Sequence, residues 1–295
     1  MPNYNHAPYL KERMDSILAQ DYSDLEIILL DDASTDDSLR ILREYEKHPK
    51  VKALLTNETN SGNTFMQWQC GLALAEGEYV WIAESDDVAE PTFLSRMVEA
   101  IEREQAVLAF CHSEWIDHEG RTLQRSRDTR WKRDFSMEGK QFVRQYLLGY
   151  STICNASAVL FRREAAAAVD MTQVVSFTAS GDRLFWIRMA MQGQVVFVAD
   201  KMNRFRQHTH KVSGSAESKG LNIVQDHEIY RIVSPLISLA EHERYIIAGY
   251  HWKAMHRPTV SKEGRRLAFE AWHQEPEFGR LAYLLYLLQR AKEKC

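Results

Sequence analysis

Three places in this sequence put carboxylates where they could do chemistry. Glu84-Ser85-Asp86-Asp87 crowds acids at the end of a short apolar run, and Asp31-Asp32 ends another. Carboxylates packed this closely repel one another, and a divalent cation is the simplest device that makes the crowding tolerable. An oxygen-only donor set suits Mg2+ or Mn2+. On extended backbone alternate side chains point the same way, so Glu84 and Asp86 would face one site and Asp87 another. The plain alternative is a solvated acidic turn ahead of a helix, since Asp commonly precedes helices for capping reasons. The third acid, Asp182, opens a helical pattern, and a cap is its plain reading too. The segment Arg204 to His210 (RFRQHTH) supplies donors in Arg204 and Arg206 that could hold a diphosphate, and His208 could add a metal contact. A solvated basic loop is the alternative there.

The elements that must position these acids alternate. Leu10, Met14, Ile17 and Leu18 have helical spacing within Tyr9 to Gln20. Leu25 to Leu30 (LEIILL) is an apolar run of strand length that stops at Asp31-Asp32, and Ser34 or Thr35 can cap the helix that follows. The unit recurs as a strand over Val51 to Leu55, a polar loop over Asn57 to Asn63, a helix from Thr64 to Glu76 closed by Gly77, and a strand over Tyr79 to Ala83. Pro91 suits the first residue of another helix, and Ala106 to Cys111 is a further strand. Such alternation argues for a parallel sheet covered by helices, whose ligands bind outside the carboxyl ends of the strands, where both acidic turns fall. Beyond Ile116 the pattern is weaker: helices over Gln141 to Leu148 and Asp182 to Met191, strands over Ala156 to Phe161 and Val195 to Val198, and helices from about Glu217 onward.

With 295 residues, 45% hydrophobic and 26% charged, the chain has ample material for a large core. A net charge of -4 and a pI near 6.3 give no basic excess for nucleic acid, so no such partner is expected. The four cysteines lack zinc-site spacing and suggest reduced thiols in a cytoplasm. No apolar run approaches the roughly 20 residues that span a bilayer, and no secretory pattern opens the chain, so a soluble protein is expected.

Pro2-Asn3-Tyr4-Asn5, the strand end LLDDAST closing at Thr35, the loop Asn60-Ser61-Gly62, AEGEYVWIAESDD over Ala75 to Asp87, and Pro91 stand in an order and spacing that resembles family 2 glycosyltransferases. Ser180 to Val198 (SGDRLFWIRMAMQGQVVFV) is similar to the segment carrying that family's catalytic base. The resemblance implies an α/β, GT-A (Rossmann-like) fold: a mostly parallel sheet flanked by helices, with a helical C-terminal region. It also implies inverting transfer from a nucleotide diphosphate sugar, a UDP-sugar being favoured, to a saccharide or lipid-linked hydroxyl acceptor, as in surface polysaccharide synthesis, with Mn2+ or Mg2+. Under it Pro2 and Tyr4 lie beside the nucleobase, Asp32 contacts base or ribose, and Asn5, Ser34 and Asn60 belong to the nucleotide-binding motifs. Asp86 matches the metal ligand, Glu84 replaces the first acid of the Asp-x-Asp motif on a longer arm, and Asp182 matches the general base. The implied division is a GT-A domain over 1-215, with a nucleotide half at 1-117 and an acceptor half at 118-215, and a helical extension over 216-295 packed on it.

The sequence departs from the family pattern in three respects. Family members begin with an apolar strand leading into the Pro-Asn-Tyr-Asn turn, whereas Met1 here directly precedes Pro2, so the first strand is expected to be missing and its neighbours to present unpaired backbone. Trp68-Gln69 replaces a common Arg-Asn pair, with Trp68 either a core aromatic or a stacking platform. The terminal stretch Arg280 to Lys294 ends basic, compatible with a peripheral membrane contact or with packing onto the body. Two readings compete with the enzyme: a catalytically silent glycosyltransferase-like module, and a sugar-nucleotide nucleotidyltransferase, which lacks support in any Gly-rich N-terminal phosphate loop.

Overall fold

The computed structural model describes residues 1–124, 131–207, 216–274, 284 and 286–288. In chain order its elements are β1 (Pro2–Asn3), α1 (Ala7–Leu18), β2 (Ile27–Asp31), α2 (Ser38–Tyr45), β3 (Val51–Thr56), α3 (Thr64–Leu74), β4 (Tyr79–Trp81), β5 (Val88–Ala89) and α4 (Phe93–Glu104). There follow β6 (Ala106–Ile116), β7 (Phe135–Glu138), α5 (Gly139–Phe142, running into a π-helical turn Val143–Leu147), β8 (Val159–Arg162), α6 (Arg163–Ala167), α7 (Met171–Val175), α8 (Gly181–Ala190) and β9 (Gln194–Arg206). The helices α9 (Leu221–Val233), α10 (Glu241–Met255) and α11 (Lys262–Trp272) complete the order.

The contacts divide these elements into two units. The first takes Met1–Gly139, Ile153–Thr178 and the chain from Arg188 through β9; the second takes Lys140–Thr152, Ala179–Ile187 and the C-terminal helices. Two short stretches from within the expected GT-A domain over 1-215 thus group with the C-terminal helices. Asp182 goes with them.

In the first unit, β1, β2 and β3 form a parallel sheet in that order, as the alternation of strands and helices requires. The other sheet among the described residues is mixed, in the order β4-β8-β6-β9-β5 with β7 also on β9; β6 and β9 are parallel, and the remaining pairs are antiparallel. The expected parallel sheet thus holds for the N-terminal strands and for the β6-β9 pair, and antiparallel strands are added around that pair. Strand β9 runs thirteen residues where sequence reading finds four apolar ones, because its second half, beyond Ala199, is mostly polar, with Met202 and Phe205 its apolar residues. Leu10, Met14 and Ile17 of α1 pack with Ile27, Leu29 and Leu42 in one apolar cluster. Phe93, Met97 and Ile101 of α4 pack on Ala109, Leu160 and Val196 in another. Burying a side chain of this size is worth about 1.5–3 kcal/mol, so the two clusters fix the strand ends that carry the acids.

The first strand is a stub that covers one end of the β2 edge. Leu30 N–H donates to Met1 O (3.0 Å) and Asp32 N–H to Asn3 O (2.9 Å), while Met1 N donates to Ile28 O (2.7 Å). A cavity of about 520 Å3 lies along the remainder, lined by Ile28, Leu30, Gly71, Val80, Ile82 and Leu160 among others. The second unit is helical: Ile229, Val233, Ala248, Met255, Ala268 and Trp272 are buried, and Trp272 Nε1 donates to Ala248 O at 3.3 Å. No helix among the described residues is long and apolar enough to cross a membrane. The terminal stretch from Arg280 on lies largely outside the described residues.

Candidate active site

The turn after β1 and the turn after β2 are knitted into one structure. Asn5 Oδ1 accepts from the Thr35 N–H (2.7 Å) and the Asp36 N–H (3.3 Å), and the Asn5 N–H donates to Ser34 Oγ (2.9 Å). Ser34 Oγ in turn donates to Asp31 Oδ1 at 2.7 Å, so Ser34 braces the turn; α2 starts later, after Asp37, with no side-chain cap. Asn5 and Ala33 both take positive φ, 55° and 59°. Asn tolerates that conformation through local hydrogen bonds, whereas Ala has no such relief. The expected nucleobase neighbours sit on this frame, Pro2 buried in β1 and the Tyr4 ring 41% exposed.

Asp32 is buried and heavily bonded. Its carboxylate accepts from Asn57 Nδ2 (2.6 Å), Asn60 Nδ2 (3.1 Å), Ser61 N (3.0 Å), Ser61 Oγ (2.7 Å) and Gln67 Nε2 (3.0 Å). These bonds hold the loop over Asn57 to Asn63 against the end of β2. Asp32 and Asn60, both expected at the nucleotide, are brought together here as an acceptor and its donor.

The second acidic stretch is a turn, not extended backbone: the Asp87 N–H reaches back to Glu84 O at 3.4 Å. The alternation that would pair Glu84 with Asp86 therefore does not apply. Glu84 instead turns its carboxylate to Trp68 Nε1 (3.1 Å), and burial followed by the charge of Asp86 pushes its pKa up to about 8. Trp68, expected either in the core or as a stacking platform, is a buried hydrogen-bonding aromatic. Asp87 does face elsewhere, accepting from Asn155 Nδ2 (2.7 Å) and from the Arg206 N–H (2.9 Å). Asp86, like Glu84, is partly exposed, whereas Asp87 is buried.

The arginines expected at a diphosphate are engaged with protein. Arg206 is 1% exposed and donates from Nε to Asp86 O (2.7 Å), from Nη1 to Asp117 O (3.1 Å), and from Nη2 to Glu12 (2.5 Å), with Tyr9 stacked 4.6 Å from its guanidinium. It pins the acidic turn. Arg204 is more open, with Nη2 on Gly120 O at 2.7 Å. His208 lies outside the described residues.

Arg13 is a feature that sequence reading misses. It is fully buried in α1, lies 4.6 Å from the Trp81 ring and donates to Ser157 Oγ at 3.3 Å, the same oxygen that accepts the Glu84 N–H (3.0 Å). Burial lowers its pKa to about 10, and Asp87, Asp86 and Glu84 oppose that, so it stays a cation beside the acidic turn. The available signal is its place in the apolar stripe Leu10, Met14, Ile17, where a charged residue needs a reason. Ser157, which fastens Glu84, lies in the stretch read as a strand over Ala156 to Phe161, and Asn155, which fastens Asp87, directly precedes it.

Asp182 sits in the first turn of α8 within the second unit. Its Oδ1 accepts the Arg183 N–H at 2.7 Å. A helix start would by itself keep such a group well ionised; burial outweighs this, and with the charge of Asp226 it pushes the pKa up to about 6. The acid is still ionised at neutral pH, and it is basic enough to take a proton from a hydroxyl.

One acidic turn ends the parallel strand β2 and the other follows β4, and the architecture is GT-A: it aligns with Staphylococcus aureus TarS in complex with UDP-GlcNAc at a TM-score of 0.68 and 18% identity, covering 92% of this chain and 78% of that one. It aligns also with the mannosyltransferase PcManGT of Pyrobaculum calidifontis in complex with GDP-Man and Mn2+ (TM-score 0.55, 20% identity, 99% and 78% covered). The model described as Glycosyl transferase family 2 matches residues 1–169, more than half of the chain, which therefore belongs to that family. An uncharacterized glycosyltransferase of Nostoc sp. is 27% identical over 228 residues, 74% of this chain and 67% of that protein. The chain spans between 59% and 67% of the length of the first curated relatives it matches.

Proposed function

We propose that this chain transfers a glycosyl group, with inversion, from a nucleoside diphosphate sugar to a hydroxyl of a saccharide or lipid-linked acceptor. The observation that carries the reading is the pair of acids with different surroundings: Asp86 partly exposed on the turn pinned by Arg206, and Asp182 held by burial at a pKa of about 6. The base of the donor would stack on Tyr4, on the frame that Asn5, Ser34 and Asp31 brace. UDP is the favoured nucleotide, since TarS was solved with UDP-GlcNAc.

Among the described residues no three His, Cys, Asp or Glu side chains gather as a metal site. One carboxylate nevertheless suits Mg2+ or Mn2+ when substrate phosphates complete the shell. Asp86 would then hold the cation, whose charge would stabilise the departing diphosphate. The buried guanidinium of Arg13 adds fixed positive charge behind that turn. Asp182 takes the proton from the incoming hydroxyl as its oxygen bonds to the anomeric carbon and the diphosphate leaves with the old bond's electrons. One displacement inverts the centre.

The test is hydrolysis and transfer by the purified chain with UDP-N-acetylglucosamine, UDP-glucose and GDP-mannose, with and without Mn2+. Turnover that requires the cation and is lost in Asp86→Ala is expected. Turnover that ignores both overturns the role of Asp86, and failure to bind UDP or GDP with Mn2+ in calorimetry would favour a silent module.

A further inference from the structure

The helix that carries Asp182 starts on a seat built by α9, a helix that lies beyond the residues matched by the family model. Gln225 Oε1 accepts the backbone N–H groups of Ala179 (2.8 Å) and Ser180 (3.0 Å), and Ser180 Oγ donates to Asn222 O (3.3 Å). Asp226 Oδ2 takes Nη1 of Arg183 at 2.7 Å. Residues 222, 225 and 226 fall on one face of α9, since positions three and four apart are neighbours on a helix. N–H groups at the entry of a helix have no partner within it and must find one outside; here a glutamine on another helix supplies it. Arg183 is 2% exposed and spends its other donors on Leu147 O (2.6 Å, from Nε) and Leu148 O (2.5 Å, from Nη2). One guanidinium therefore ties the start of α8 to α9 and to the turn that follows the π-helical segment.

We propose that Gln225, Asp226 and Arg183 are positioning residues for Asp182, which makes α9 part of the catalytic apparatus. The proposal rests on the reading of Asp182 as the base. The Arg183 N–H fixes Oδ1, so Oδ2 is the oxygen that would take the acceptor's proton. Two charged side chains bear on the carboxylate: Asp226, which strengthens its hold on a proton, and Arg183, which weakens it. The other ionisable groups of this neighbourhood do not offset them. His251 and His227 are held below the usual histidine range by burial and stay neutral at pH 7, and Arg144 is paired with Glu243 at 3.0 Å.

Two variants of opposite sign separate this role from simple support of the fold. Asp226→Asn removes a negative charge, and Gln225→Glu keeps the shape and the acceptor oxygen but adds one. The carboxyl titration of Asp182 is read by 13C NMR on the full chain, assigned against Asp182→Asn, beside the pH profile of kcat/KM for UDP-N-acetylglucosamine with Mn2+. D226N is expected to lower the Asp182 midpoint by about one pH unit and the acidic limb with it, and Q225E to raise both. Midpoints that stay at the wild-type position in both variants, or move the same way in both, overturn the proposal. If D226N does not fold, Q225E alone decides by the same criterion. Full turnover by D182N would overturn Asp182 as base instead, and the NMR midpoints report the seat independently of that result.

Discussion

Asp32 and Asp182 are both acids at the ends of regular elements, and their surroundings differ in kind. Asp32 receives five donors from Asn57, Asn60, Ser61 and Gln67. Asp182 receives the Arg183 N–H and faces a second acid, Asp226. A carboxylate whose lone pairs are filled by protein is an organiser of backbone; one that is desolvated and sparsely bonded is poised to exchange a proton. The glycosyltransferase reading asks different things of the two, and each can be tested by breaking its own surroundings.

The sharpest break is at Asp182. Asp182→Asn should cut kcat/KM by about 10³-fold, while UDP binding by calorimetry stays within the wild-type range; unchanged turnover would remove the distinction between the two acids. Asp32→Ala should instead cost about 3 kcal/mol of stability, because it leaves buried donors without an acceptor, read as a lowered denaturation midpoint. A protein that tolerates this change would show the network to be incidental.

The pH dependence sharpens the same contrast. With a folded pKa of about 6, Asp182 must be ionised to act, so kcat/KM should hold above that value and fall tenfold per unit below it. Glu84 provides a stability readout. Its pKa is pushed up to about 8 in the fold, well above the ordinary carboxylate range, so the folded state holds an extra proton across that interval. Stability from this group is present at low pH and is lost as pH rises through 8; Glu84→Gln should flatten that loss in urea titrations while leaving Mn2+-dependent UDP binding intact. The smallest effect is at Ala33, whose φ of 59° strains any residue with a Cβ: Ala33→Gly should stabilise by about 0.5–1 kcal/mol, visible as a slightly higher thermal midpoint.

Much of the N-terminal architecture is legible because strand and helix periods are local. LEIILL is an apolar run of strand length that stops at Asp31-Asp32, and β2 covers Ile27–Asp31. The helix at Ala7–Leu18 follows from Leu10, Met14 and Ile17 in the same way. The second unit resists such reading. Its membership joins Lys140–Thr152 and Ala179–Ile187 to helices of which the first, α9, begins 34 residues beyond Ile187, and no local pattern encodes that grouping. Arg206 shows the same limit: as sequence it is a free cation in a basic run, and in the fold it is buried on Asp86 O, Asp117 O and Glu12.

By itself the sequence determined the alternation of strands and helices, the placing of acids at strand ends and the family, because apolar period, turn chemistry and motif spacing are properties of neighbouring residues. Only the tertiary structure decided the surroundings of each acid. Glu84 meets the Trp68 indole, Asp87 is held by Asn155 and Arg206, and Asp182 faces the charge of Asp226 on another helix. Protonation and ligand capacity depend on burial and on charges brought in from far along the chain, and those exist only once it has folded.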